Sequence, residues 1–212
     1  MHKILVISAG PGGKEYMTDL ARTKVKECEV IIGSAEQLEA IDVLDDQIVH
    51  EEWGVENIMN IVQKHEGKKV GVLVVGDAGV YSLAQRFADR FGRDAIEEVI
   101  PGVSSIQVAF ARIKEPWLNV QVFSYRRKTT DDIDEVLAYE RSIILCDREH
   151  NSKMILSALR DAGLFKQKRR VYVFQDLTFD TESVIKIEKP ADIEGIDVKR
   201  REIVLTIKDK AQ

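Results

Sequence analysis

The stretch from Val70 to Ser82, V-G-V-L-V-V-G-D-A-G-V-Y-S, constrains the fold of this chain more than any other. Val70 to Val75, Gly71 included, carries no charge and reads as a strand buried on both faces. The run stops at Gly76-Asp77-Ala78-Gly79, and from there Val80, Leu83, Ala84, Phe87, Ala88 and Phe91 share one helical face. Strand, tight turn and helix make up the repeating piece of a parallel α/β sheet, and in such sheets a ligand sits just beyond the carboxyl ends of the strands. Gly76 and Gly79 let a backbone approach a ligand closely, and Asp77 puts a carboxylate at that edge. The same residues also suit a plain turn with a helix cap behind it. The rest of the chain has to decide between the two.

The pattern occurs first at the start of the chain. Lys3 to Ile7 reads as a buried strand, Ser8-Ala9-Gly10-Pro11-Gly12-Gly13 as a turn, and Tyr16, Met17, Leu20 and Ala21 fall at helical spacing. The dinucleotide fingerprint G-x-G-x-x-G is absent, and Pro11 removes a backbone N–H that a phosphate would want. A turn packed against the flat part of an adenosyl or methyl-donor ligand fits better than a pyrophosphate cradle; a bare turn fits as well. Glu29 to Gly33 is the next strand, and Ser34 to Leu38 begins a helix with Ser34 as its cap. Ile48 to Trp53 reads as a short strand or a loop, and Val55, Ile58, Met59 and Val62 form an amphipathic helix that closes near Gly67. This order implies a parallel sheet with right-handed crossovers. Ile96 to Ile100 adds a strand that runs into Pro101-Gly102-Val103-Ser104-Ser105. Ser104 and Gln107 fit a capping box for a helix that buries Ile106, Ala109, Phe110 and Ile113. Two hydroxyls at a helix N-terminus suit a carboxylate or hydroxyl ligand, and equally serve as caps.

Lys114 to Asn119 breaks the pattern, and Pro116 disfavours helix before it. The expected domain junction is here, giving residues 1–115 and 116–212. Beyond it, Val120–Ser124, Ser142–Cys146, Val171–Phe174, Ser183–Ile187 and Glu202–Ile207 read as strands. One helix carries Ile133, Val136 and Leu137; another carries Ile155, Ala158, Leu159 and Ala162, with Ser152 as cap and Gly163 as stop. No helical pattern separates the last two strands, so part of this sheet is expected to be antiparallel. Arg126-Arg127-Lys128, just past a strand end, is the densest basic cluster at a plausible site, whereas Lys166–Arg170 and Lys199–Arg201 read as solvated turns. A net charge of −5 argues against a general nucleic-acid binder. Cys28 and Cys146 form neither a disulfide framework nor a metal-spaced pair, and His2, His50, His65 and His150 read as surface residues, so no structural metal is expected. The apolar run at the start is too short for a signal peptide, and none later could span a bilayer, which points to the cytoplasm.

Four stretches then combine: Ala9-Gly10-Pro11-Gly12; Gly76-Asp77 with Tyr81-Ser82; Pro101-Gly102-Val103-Ser104-Ser105-Ile106-Gln107; and Phe174-Gln175-Asp176-Leu177-Thr178. Their order and spacing resemble the tetrapyrrole (corrin/porphyrin) methylases over nearly the whole chain. Within that family, P-G-V-S-S-I-Q-V-A-F-A-R followed by Pro116-Trp117 looks most like the C5-methylating branch of cobalamin biosynthesis, which acts on cobalt-precorrin-7 or its cobalt-free counterpart. The resemblance implies two α/β domains, a parallel-sheet N-terminal one and a mixed-sheet C-terminal one, with S-adenosylmethionine in the cleft between them and S-adenosylhomocysteine as its product. It also implies a homodimer, a corrin precursor as substrate and a separate C15-methylating decarboxylase, for which a chain ending at Gln212 has no room. Carried over by position, the donor shell is Pro11, Asp77, Val80, Ser105 and Ile106, with Cys146 and Leu177 from the second domain. Tyr81, Ser104, Arg126 and Arg127 fall on the substrate side, where a guanidinium fork would grip carboxylates.

The chain departs from the family pattern at two of these turns. Ser8 stands where G-x-G-P-G begins, and Ala78 where G-D-P ends. After the Val120–Ser124 strand an S-x-H-G-R-like run is replaced by Ser124-Tyr125-Arg126-Arg127-Lys128. Two rival readings stay open: another member of the superfamily, such as a different precorrin methylase or a diphthine-synthase-like enzyme, and a non-catalytic metabolite-binding module on the same shell.

Overall fold

The computed structural model describes residues 1–81, 83–125 and 129–209. The chain forms two compact units, Met1–Ser105 and Ile106–Gln212. The sequence break at Lys114–Asn119 therefore lies inside the second unit, ahead of its first strand.

The first unit is built on a parallel sheet of β1 (Lys3–Ser8), β2 (Val30–Gly33), β3 (Ile48–Glu51), β4 (Lys69–Val74) and β5 (Ile96–Ile100), in the order β3-β2-β4-β1-β5. Side chains alternate across a strand, so β1 feeds two cores. Ile4 and Val6 join Val70, Val72, Ile58, Met59, Val62 and Phe87 on one face. Leu5 and Ile7 join Ala21, Val25, Cys28, Ile31 and Leu73 on the other. The uncharged strands predicted for both-sided burial are thus buried on both sides. At Gly71, in the middle of β4, an added Cβ would lie 2.8 Å from Cys28 Sγ and 3.2 Å from Ile7 and Ile31, so this glycine marks a close approach of strand and helix layer.

The helices divide between these faces. α1 (Asp19–Lys26) and α2 (Ala35–Leu38) cover the Leu5 face; α3 (Val55–Lys64) and α4 (Ala84–Phe91) cover the Ile4 face. Two boundaries differ from the periodicity. Tyr16 closes a 3-10 turn at Lys14–Tyr16, and α1 starts only at Asp19 because Thr18 Oγ1 accepts the Ala21 N–H at 3.1 Å; Leu20 is left exposed. α4 starts at Ala84, so Val80 belongs to the turn and not to the helix.

The second unit holds a mixed sheet of β6 (Val120–Ser124), β7 (Arg141–Leu145), β8 (Arg169–Gln175), β9 (Ser183–Ile187) and β10 (Glu202–Lys208), ordered β6-β7-β10-β8-β9. β6 and β7 pair in parallel, and the other neighbours are antiparallel, in line with the sequence expectation. Its core joins Ile144, Val173 and Val204 to Ile155, Leu156 and Leu159 of α6 (Ser152–Asp161). The segment expected as a helix around Ile133 is a 3-10 stretch, Ile133–Ala138. The cap of α6 is Asn151 rather than Ser152: the Asn151 side chain accepts the Met154 N–H at 3.0 Å, while the Ser152 N–H donates to Glu202 Oε2 at 2.8 Å. Gly163, at φ 98°, ends the helix as expected.

Candidate functional site

Adjacent strands β4 and β1 send their chains to opposite faces of the first sheet. After β1 the chain crosses to β2 along the face of α1; after β4 it crosses to β5 along the face of α4. The carboxyl ends of β1 and β4 therefore form a topological switch point, where open α/β sheets receive their ligands.

Three turns meet there, and hydrogen bonds hold them together. The turns after β1 and β4 pair directly: the Gly76 N–H donates to Gly10 O at 2.7 Å and the Gly10 N–H to Gly76 O at 3.3 Å. Ser8, which is 0% exposed, donates its hydroxyl to Ile100 O at 2.6 Å and accepts the Ala78 N–H at 2.8 Å. Asp77 accepts the Gly79 N–H on Oδ1 and the Gly102 N–H on Oδ2, both at 2.8 Å. Gly102 is obligatory in this packing, because a Cβ there would fall on Ser8 Cβ and lie 3.2 Å from Gly76 O. Gly76 is different. Its φ is 72°, and an added Cβ would meet nothing within 4 Å, so open space lies over this turn.

The chemistry of these turns is narrow. Residues 8–13, 75–81 and 101–105 contain no Lys, Arg or His, and Asp77 is their one charge. Such a surface offers little to a pyrophosphate and is compatible with a cationic, largely apolar ligand resting on backbone. An adenosyl sulfonium fits that description.

The predicted residues fall as follows. Pro11 is buried in the first turn, Asp77 and Val80 are partly buried in the second, and Ser104 is buried ahead of α5 (Ser105–Arg112), which Ser105 opens. Tyr81 is 64% exposed and holds a left-handed φ of 48°. In the second unit Ile106 is buried on α5 and Leu177 is buried in the turn after β8. Cys146 follows β7 directly, and burial pushes its thiol pKa well above the usual thiol range. Arg126 and Arg127 lie outside the described residues.

Several sequence readings need correction. His150 is 7% exposed, not on the surface, and its Nδ1 lies 3.3 Å from Asp147 Oδ1. His50 and His65 face each other with Nε2 atoms 3.0 Å apart. Arg169 is no solvated turn residue: it sits in β8, donates to Leu137 O at 2.8 Å, and burial lowers its pKa. Lys199 likewise donates from its backbone N–H to Glu202 Oε1 at 3.0 Å and from Nζ to Thr181 O at 2.9 Å. Sequence reasoning also missed Glu202, a buried carboxylate that accepts from Ser152 N, Lys199 N and Gln175 Nε2.

The parallel sheet and its joined turns define an open α/β unit with a candidate ligand site at the carboxyl ends of β1 and β4, and the second unit is built on a mixed sheet. The chain belongs to the tetrapyrrole (corrin/porphyrin) methylases, whose family model matches residues 3–190. A probable cobalt-precorrin-7 C(5)-methyltransferase from Methanocaldococcus jannaschii is 24% identical over 187 residues, covering 85% of this chain and 87% of that protein. Among solved structures, the precorrin-6Y methylase of Archaeoglobus fulgidus aligns with a TM-score of 0.74 at 24% identity over 99% of both chains. The uroporphyrin-III C-methyl transferase of Thermus thermophilus, solved in complex with S-adenosyl homocysteine, aligns with a TM-score of 0.74 at 18% identity over 97% of both chains.

Proposed function

We propose that this chain is an S-adenosylmethionine-dependent C-methyltransferase of cobalamin biosynthesis that methylates C5 of cobalt-precorrin-7. One observation carries the ring position: the C5 relative matches along 85% of this chain and 87% of its own length. The donor reading draws on the three cation-free turns and the open space over Gly76.

S-adenosylmethionine, when bound, supplies an activated methyl group for in-line displacement by a ring carbon. The chain's part is to orient the donor and exclude water. In this reading Pro11, Asp77, Val80 and Ser105 hold the donor from the first unit, with Ile106, Cys146 and Leu177 contributing from the second. Tyr81, Ser104, Arg126 and Arg127 act on the substrate side. The reading includes a homodimer, a cytoplasmic location and a separate C15-methylating decarboxylase as partner.

The test is in two parts. Calorimetric titration with S-adenosylhomocysteine, with NAD as control, is expected to show binding of the first alone. Incubation with cobalt-precorrin-7 and methyl-labelled donor, read by NMR, is expected to place the label on C5. Label on another carbon would move the enzyme to a different step of the same chemistry. Donor binding with no transfer to any corrin precursor would remove the corrin substrate altogether and favour a diphthine-synthase-like or non-catalytic role.

A further inference from the structure

We propose that Ser8 is a positioning residue of the donor site and that it works as one unit with Ala78. The inference rests on the donor-site reading above. Ser8 is the last residue of β1, the strand between β4 and β5 in the sheet. Its hydroxyl proton goes to Ile100 O at 2.6 Å, which ties it to the end of β5. That leaves lone pairs on Oγ, and one accepts the Ala78 N–H at 2.8 Å from the turn after β4. One buried oxygen thus sets the distance between two of the three ligand-facing turns. Asp77 and Gly102 complete the same joint: Asp77 Oδ2 accepts the Gly102 N–H, and Gly102 packs directly on Ser8. A shift of Ala78 would carry its neighbours Asp77 and Val80 with it.

The two residues are chemically conditional on each other. A glycine at position 8 removes the oxygen that accepts the buried Ala78 N–H. A proline at position 78 removes that N–H and puts its ring Cδ along the same direction, onto Ser8 Oγ. Making both changes removes the acceptor, the donor and the clash together. Ser8→Gly and Ala78→Pro should therefore each be damaging, and the pair should be close to neutral.

The experiment is a double-mutant cycle on the full chain: wild type, Ser8→Gly, Ala78→Pro and the double variant, each titrated with S-adenosylhomocysteine and melted. Each single change is expected to weaken binding by roughly tenfold, and the double variant to return to within about threefold of wild type. Additive losses, or wild-type affinity in Ser8→Gly, overturn the proposal. A second measurement covers the case where Ala78→Pro does not fold. In Ser8→Ala, the Ala78 amide is expected to exchange with solvent at least about tenfold faster while the Val72 amide in β4 is unchanged. Unchanged exchange at Ala78 overturns the joint, and a lowered melting temperature with unaltered affinity overturns the positioning role. If wild type itself binds no S-adenosylhomocysteine, the donor-site reading fails, and the melting cycle still decides whether Ser8 and Ala78 form a unit.

Discussion

Asp77 is engaged by its own backbone, with Gly79 N on one oxygen and Gly102 N on the other, each at 2.8 Å. A carboxylate so held orders the turns after β4 and β5 together, and each oxygen keeps a further lone pair for a ligand. Asp77→Ala removes both acceptors. It is expected to weaken S-adenosylhomocysteine binding by at least roughly tenfold in calorimetry, with Asp77→Asn intermediate because it keeps one oxygen acceptor. Affinity equal to wild type in Asp77→Ala would sink this role. The carboxylate and the glycines around it were legible as a ligand edge because their types and order are local. That Asp77 reaches Gly102, 25 residues on, was not, since no periodicity reports which turn lies beside which.

Among the elements, α5 shows how an ionisable pair couples to pH. Arg112, in its last turn, donates to Glu182 through Nε and Nη2, and Thr178 N donates to Glu182 Oε2 at 2.7 Å. The Arg112 bond, then the backbone bond, hold the Glu182 carboxyl below its ordinary value of 4.5 against an opposing burial effect. A depressed carboxylate stabilises the fold above its unfolded value, and that contribution is lost as pH falls through the lower folded one. Melting temperature should therefore fall less steeply on acidification below about pH 4.5 in Glu182→Gln than in wild type. Identical acid limbs would show that the pair, which is partly open to solvent, is screened into irrelevance. The same scale explains the α6 boundary. Ser152 fits the cap by type, but Asn151 accepts the Met154 N–H, Ser152 is the first helical residue, and Glu202, 50 residues away, accepts its first-turn N–H.

At the scale of the whole molecule, two units with separate cores imply separate responses to damage. Glu202 joins the start of α6, the end of β8 and the Lys199 segment, all in the second unit. Glu202→Ala leaves the buried Ser152 N–H without this acceptor and takes one from Gln175 Nε2 and from Lys199 N, and should cost about 3 kcal/mol. Amide exchange is expected to quicken in β7, β8 and β10 and to stay as it was in β1 and β4. Equal acceleration in both sheets would mean that the units unfold as one. No helix among the described residues is long and apolar enough to cross a membrane. The fold class, the succession of strands and the three glycine-bearing turns were legible in the residue order, because burial periodicity and turn chemistry act over a few neighbours. Strand order, the switch point between β1 and β4, the burial of His150, the hydrogen bond from Arg169 to Leu137 O and the Ser8–Ala78 contact across 70 residues were not. Those depend on which local pieces pack together, and that choice is made by the shared burial of side chains far apart in the chain, which leaves no pattern in either segment alone.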